Sequence, residues 1–231
     1  MVNLKFIRDI HRLVENYTQE RDQHLSGEVP SKPEQWDEIY IYLKALTNLY
    51  GVVPIEKIIE IYNEHHDQNI DVDALRYIDY DKRRKDITEF IGIKDDHFFN
   101  LDVLIDDNFD SLLKSKAGKP YYVPDKEEIN RYANRDYFAE DKEFLELRRF
   151  FRGMYWNKKK AERLALEIQI LCKSIDAEDK IDNFFDRHRL KLKDDEMKEL
   201  EGLIQNLTDN TRLCENNGFT PNEMEEIRSG K

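Results

Sequence analysis

Thirteen consecutive residues, RRFFRGMYWNKKK (148–160), hold six Lys/Arg, no acid and four aromatic side chains. Cations interleaved with flat rings are the combination that pairs with phosphates and stacks on bases. Arg148, Arg149, Arg152, Tyr155, Trp156, Lys158, Lys159 and Lys160 are therefore the candidate nucleic-acid contacts of this chain. A structural reading competes with that one. Phe151 falls on a helical stripe with Phe144 and Leu147, and Lys158–Lys160 then begin the next helix in solvent. A second basic stretch, RHRLKLK (187–193), extends the patch if folding brings the two together.

Other residues with chemical potential are more scattered. Asp102, Asp106 and Asp110 recur every four positions, so a continuous helix would align three carboxylates on one face, as a divalent cation or an acidic solvent face would require. A metal-dependent hydrolase or nuclease built on them is one of three readings. His65-His66-Asp67 and Asp95-Asp96-His97 put ligand-type side chains next to each other, but neighbours on a helix diverge, and neither cluster has a partner at metal-ligand spacing. The eight glycines form neither a dinucleotide fingerprint nor a phosphate-cradling loop, and no nucleophile elbow occurs. Cys172 lies on an apolar stripe and Cys214 stands alone; with no adjacent group to lower either pKa, both read as reduced thiols. No cofactor or metal is expected, and the balance of these features favours a non-enzyme.

The elements that must position these residues follow from composition and periodicity. Charged residues are 37 % and apolar ones 39 % of 231, polar for a globular chain, yet 11 % aromatics supply a core. No apolar run approaches the roughly 20 residues that span a bilayer, and the charged start lacks a secretory h-region, so a cytoplasmic location and no membrane partner are expected. The net charge of −12 is uneven: residues 1–110 carry 13 Lys/Arg against 24 Asp/Glu (−11), residues 111–231 carry 24 against 25 (−1).

Three- and four-residue apolar steps predict a helix over 2–24, then a Gly/Pro-rich linker at 25–33. A helix with Trp36, Ile39, Tyr40, Leu43, Leu46 and Tyr50 inward follows, ended by Gly51. Pro54 opens a third helix (Ile55, Ile58, Ile59, Tyr62), and a shorter one starts at Asp71. DITEFIGI and HFFNL read as strands around Lys94-Asp95-Asp96. Three helices and a hairpin is the element order of a winged helix, here over 34–113, whose predicted third helix and wing carry acids where phosphates would sit. One helix is expected across Leu101–Leu113. KSKAGKPYYVP (114–124) reads as a second linker, and 125–231 as an all-helical domain with capping boxes at Asp125/Glu128 and Thr220/Glu223.

YGVVPIEKIIEIYNEHH (50–66), GKPYYVPDKEEINRYANRDYFAE (118–140) and NTRLCENNGFTPNEM (210–224) resemble, in order and spacing, a family of proteins from low-GC Gram-positive bacteria and their mobile elements. In many members the last block leads into a SEC-C zinc motif. Here EEIRSGK (225–231) follows with no such cysteines, so the zinc site is not carried over. The resemblance implies no particular activity.

The expectation is thus a mainly α protein: an N-terminal helix and linker (1–33), a winged-helix-like module with a small hairpin (34–113), a linker (114–124) and a helical domain (125–231). Its expected role is non-enzymatic protein interaction, as an adaptor or regulator, with nucleic-acid association through 148–160 as the alternative.

Overall fold

The computed structural model describes residues 36–66, 70, 72, 75, 91–105, 108–135, 137–174 and 177–230. The expected 2–24 helix, the 25–33 linker, Asp67, most of the helix from Asp71, residues 86–90 of the expected strand DITEFIGI and Asp106 lie outside those residues. Val72 and Leu75 are helical, and Leu75 is buried. The fold is mainly helical with a small antiparallel sheet. Two compact units divide it: residues 1–113 with 125–133, and residues 114–124 with 134–231.

The first unit is built on helix α1, Trp36–Tyr50, whose predicted inward residues are all buried. Gly51 takes a left-handed conformation (φ 70°) and its N–H donates to Thr47 O at 2.9 Å, which stops the helix. Strand β1, Val52–Pro54, follows directly, and Pro54 then serves as N-cap of α2, Ile55–His65. Strands β2, Ile91–Lys94, and β3, His97–Asn100, form the expected hairpin. The sheet has three strands, however, in the order β1-β3-β2, with Val52 opposite Phe99 and Gly92 opposite the same Phe99. A Cβ on Gly92 would stand 2.5 Å from Phe99 Cζ, and that ring is enclosed and edge-on to Phe109 at 5.3 Å, so glycine is required there.

The single helix expected over Leu101–Leu113 is two helices. Helix α3 spans Asp102–Ile105 and α4 spans Phe109–Lys116, with Asn108 irregular between them and Phe109 and Leu112 buried. Helix α5, Lys126–Tyr132, capped by the predicted Asp125/Glu128 box, packs along α1 rather than with the later helices. Asn48 fixes it, donating through Nδ2 to Tyr132 O at 2.9 Å while its Oδ1 accepts from Asn100 Nδ2 at 3.0 Å. Residues 125–133 therefore belong with the first unit, not with the helical domain to which their sequence position assigns them.

The second unit packs α6 (Lys142–Met154) against α7 (Lys158–Leu171) and α9 (Asp194–Asp209), with α8 (Ala177–His188) on α7. Phe144, Leu147 and Phe151, at steps of three and four, meet Ala161, Leu164, Ala165, Ile168, Phe184, Leu200, Ile204 and Leu207 in one core. Helix α10, Pro221–Ser229, starts on the predicted Thr220/Glu223 box.

Residues 114–124 are held in place, contrary to their reading as a linker. Asn217, left-handed at φ 51° and buried, donates from Nδ2 to Lys119 O at 2.9 Å and accepts Tyr122 N–H on its own carbonyl at 3.0 Å. Lys119 Nζ donates to Glu215 O and Asn216 Oδ1, both at 2.9 Å. The Arg212 guanidinium lies 3.4 Å over the Tyr122 ring and donates to Gly218 O and Glu223 Oε2. Residues 116–122 and 212–223, about a hundred positions apart, are thus clasped to each other.

Candidate interaction surfaces

Folding splits the basic aromatic stretch into two halves. On α6, Arg148 Nη1 reaches Glu140 Oε1 at 3.0 Å and Glu162 Oε1 at 3.1 Å, and Arg152 Nη2 reaches Glu162 Oε2 at 2.8 Å. Arg148 also lies over the Phe144 ring. Each ion pair is worth little in stability, but together they balance two of the six cations locally. Phe151 is enclosed in the core and Phe150 packs against it. This half is structural.

The other half faces solvent. Helix α6 ends at Met154, Tyr155 is its C-cap, and Asn157 caps α7 by accepting from Lys160 N at 3.2 Å. Trp156, between the two caps, is 100 % exposed. Lys158 and Lys159 are exposed, as is Arg149 on α6, while Lys160 Nζ sits 4.0 Å over the Tyr155 ring. The first two residues of the second basic stretch are engaged away from this corner. Arg187 and His188 both bind Glu167, at 2.7 Å and 2.9 Å, nine residues and about 13 Å along α7 from Lys158.

The hairpin tip of the first unit has the opposite charge. Asp95 and Asp96 both take positive φ, 49° and 58°, the backbone of a two-residue turn that suits twisted strands. Their carbonyls are used internally, Asp95 O accepting from His97 Nδ1 at 2.7 Å and Asp96 O from Ile55 N at 3.0 Å, while both residues remain exposed. His97 is therefore turned inward to the backbone, and this cluster does not converge as metal ligands would. Asp102 and Asp110 are exposed on separate helices, α3 and α4, so the expected carboxylate row is interrupted. Among the described residues no three His, Cys, Asp or Glu side chains are grouped to hold a metal ion.

His65 and His66 do converge, which adjacent residues on one helix would not. His66 is the C-cap of α2 and has left the helix (φ −132°), so its ring swings back. The Tyr42 hydroxyl bridges the pair, 2.8 Å from His65 Nδ1 and 3.1 Å from His66 Nε2. His66 Nε2 also lies 3.5 Å from Glu38 Oε1, and Tyr62 O–H donates to Glu38 Oε2 at 3.3 Å. Burial, then the Glu38 carboxylate, pushes the Tyr42 and Tyr62 hydroxyls up to about 12, and burial pushes His65 down. Neutral hydroxyls and a neutral imidazole make a clasp between α1 and α2, not an acid–base pair.

No family model matches the chain, and no curated protein or solved structure matches it. Cys172 is buried, its thiol pushed up by burial. Cys214 differs from the sequence reading: Lys116 and Lys173 lie close enough to pull its pKa down, yet burial outweighs them and the thiol is pushed up. Lys116 is only 4 % exposed, and burial lowers its pKa to about 8. Nothing local in the sequence pointed to that buried lysine, because its surroundings come from residues about a hundred positions away, such as Asn217, which donates to Lys116 O at 3.4 Å.

Among the described residues no helix is long and apolar enough to cross a membrane.

Proposed function

We propose that this chain is a non-enzymatic interaction protein whose first unit is a winged-helix-type module that docks a basic protein surface. The order helix, strand, helix, hairpin with sheet order β1-β3-β2 supports the winged-helix reading, since a wing is a hairpin whose inner strand pairs back to a short strand between the first two helices. The observation that carries the docking reading is the wing tip. A wing that tracks DNA meets phosphates, and like charges brought together cost several kcal/mol. This one ends in two exposed aspartates, within a segment whose balance over 1–110 is −11 (13 Lys/Arg against 24 Asp/Glu). Such a tip steers toward a basic partner and repels nucleic acid.

The test is affinity capture from cell extract treated with nuclease, using the chain and its Asp95→Asn/Asp96→Asn form. Asparagine tolerates left-handed backbone, so the turn is kept while the charge is removed. A set of proteins retained by the first and lost by the second is the expected result. An identical set with both forms would overturn the reading.

A further inference from the structure

The corner at Trp156 lies in the other unit and carries charge of the other sign, and two of its features work against stability. An indole that is 100 % exposed leaves a large apolar surface in water. Helix α7 opens on Lys158, Lys159 and Lys160 with no acid in its first turn, although cations are unfavourable at that end of a helix. Each choice goes against what local folding prefers, and their coincidence at one place is the pattern expected of a functional site.

We propose that this corner, Trp156 with Lys158 and Lys159, binds single-stranded nucleic acid. Both faces of a fully exposed indole are open to a base, and a base can stack there only if it is unpaired. Consecutive helical residues fan apart by about 100°, so Lys158 and Lys159 cannot share one small anion but can meet successive phosphates of a chain. Arg148 and Arg152 take no part, because Glu140 and Glu162 already hold them. An acidic peptide would use the lysines and leave the indole without a flat partner. An anionic membrane would find one bare apolar side chain, too little for stable anchoring without a second signal. Charge complementarity together with the stacking face therefore selects the single strand.

The experiment uses the full chain and an oligothymidylate about 12 nucleotides long, within the site sizes that single-strand binders cover. The chain has two tryptophans, and Trp36 is buried, so quenching of the red-shifted emission on adding oligonucleotide reports Trp156. At about 50 mM salt the expected result is saturable quenching, weakened at least about fivefold in Trp156→Ala by anisotropy of a labelled oligonucleotide. Lys158→Gln/Lys159→Gln should flatten the slope of log K against log salt by about 1.4, at about 0.7 for each phosphate no longer neutralised. Circular dichroism of each variant controls for folding. Absence of quenching at low salt, a Trp156→Ala form that binds as well as the parent, or equal quenching by polyglutamate or by phosphatidylglycerol vesicles would overturn the proposal. Asp95→Asn/Asp96→Asn should leave oligonucleotide binding intact, which keeps this test separate from that of the wing.

Discussion

Phe151 and Trp156 stand five positions apart in one basic aromatic stretch, yet the first is fully enclosed and the second fully bare. The cations beside them divide the same way: Arg148 and Arg152 are tied to glutamates, whereas Lys158 and Lys159 face solvent. The difference is one of phase. Phe144, Leu147 and Phe151 keep the helical step and so reach the core of the second unit, while Trp156 falls after the end of α6 at Met154, where no periodicity draws it inward. A count of charges and rings treats the two halves as one patch. Geometry assigns one half to the fold and leaves the other for a partner.

The largest effect that separates the halves is on stability. Phe151→Ala should lower the unfolding free energy by about 3–5 kcal/mol, the cost of truncating a buried aromatic, whereas Trp156→Ala should change it by less than about 0.5 kcal/mol. Urea denaturation of the two variants decides this, and similar losses from both would erase the distinction. Lys116 sharpens the comparison from another side, because it is a cation the same unit buries. Its pKa is near 10.5 unfolded and about 8 in the fold. Below pH 8 both states carry the charge and the cost of burying it is complete. Above pH 8 the folded lysine is neutral while the unfolded one still binds its proton, so stability rises with pH until about 10.5. Lys116→Met should therefore be more stable than the parent at pH 7, by about 3 kcal/mol at most, and the gap should narrow by about 1 kcal/mol between pH 8 and pH 9. A gap independent of pH would contradict that picture. Smallest is the loss of the glutamate that serves both arginines. Glu162→Gln should cost about 0.2–1 kcal/mol, diminishing with added salt, and should tighten oligonucleotide binding slightly by releasing Arg152, while Glu140 still holds Arg148.

Much of the local architecture was legible from sequence. The inward face of α1, its glycine stop, both capping boxes, the hairpin with its Asp95-Asp96 tip and the Phe144/Leu147/Phe151 stripe all follow from steps of two, three or four residues. What was illegible depends on residues far apart in the chain. Strand β1 is three residues between two helices and exists only through pairing with β3, more than forty positions later. Glycine and proline made 114–124 look like a linker, while the Asn217 side chain that holds it lies 98 positions from Lys119. The convergence of His65 and His66 on Tyr42 depended on His66 leaving its helix, and the neutralisation of Arg148 on Glu140 and Glu162, from outside the stretch itself. Availability for binding was the least readable property, because it is set by partners that periodicity does not name.

As proposed, two units present two surfaces of opposite charge to two kinds of partner. The most direct measurement is quantitative capture from extract, with and without nuclease, by three forms: the parent, the Asp95→Asn/Asp96→Asn wing form and the Trp156→Ala/Lys158→Gln/Lys159→Gln corner form. The wing form should lose nuclease-resistant proteins and keep nucleic acid, and the corner form should do the reverse. Loss of the same partners from both forms, or full retention by both, would contradict this proposal.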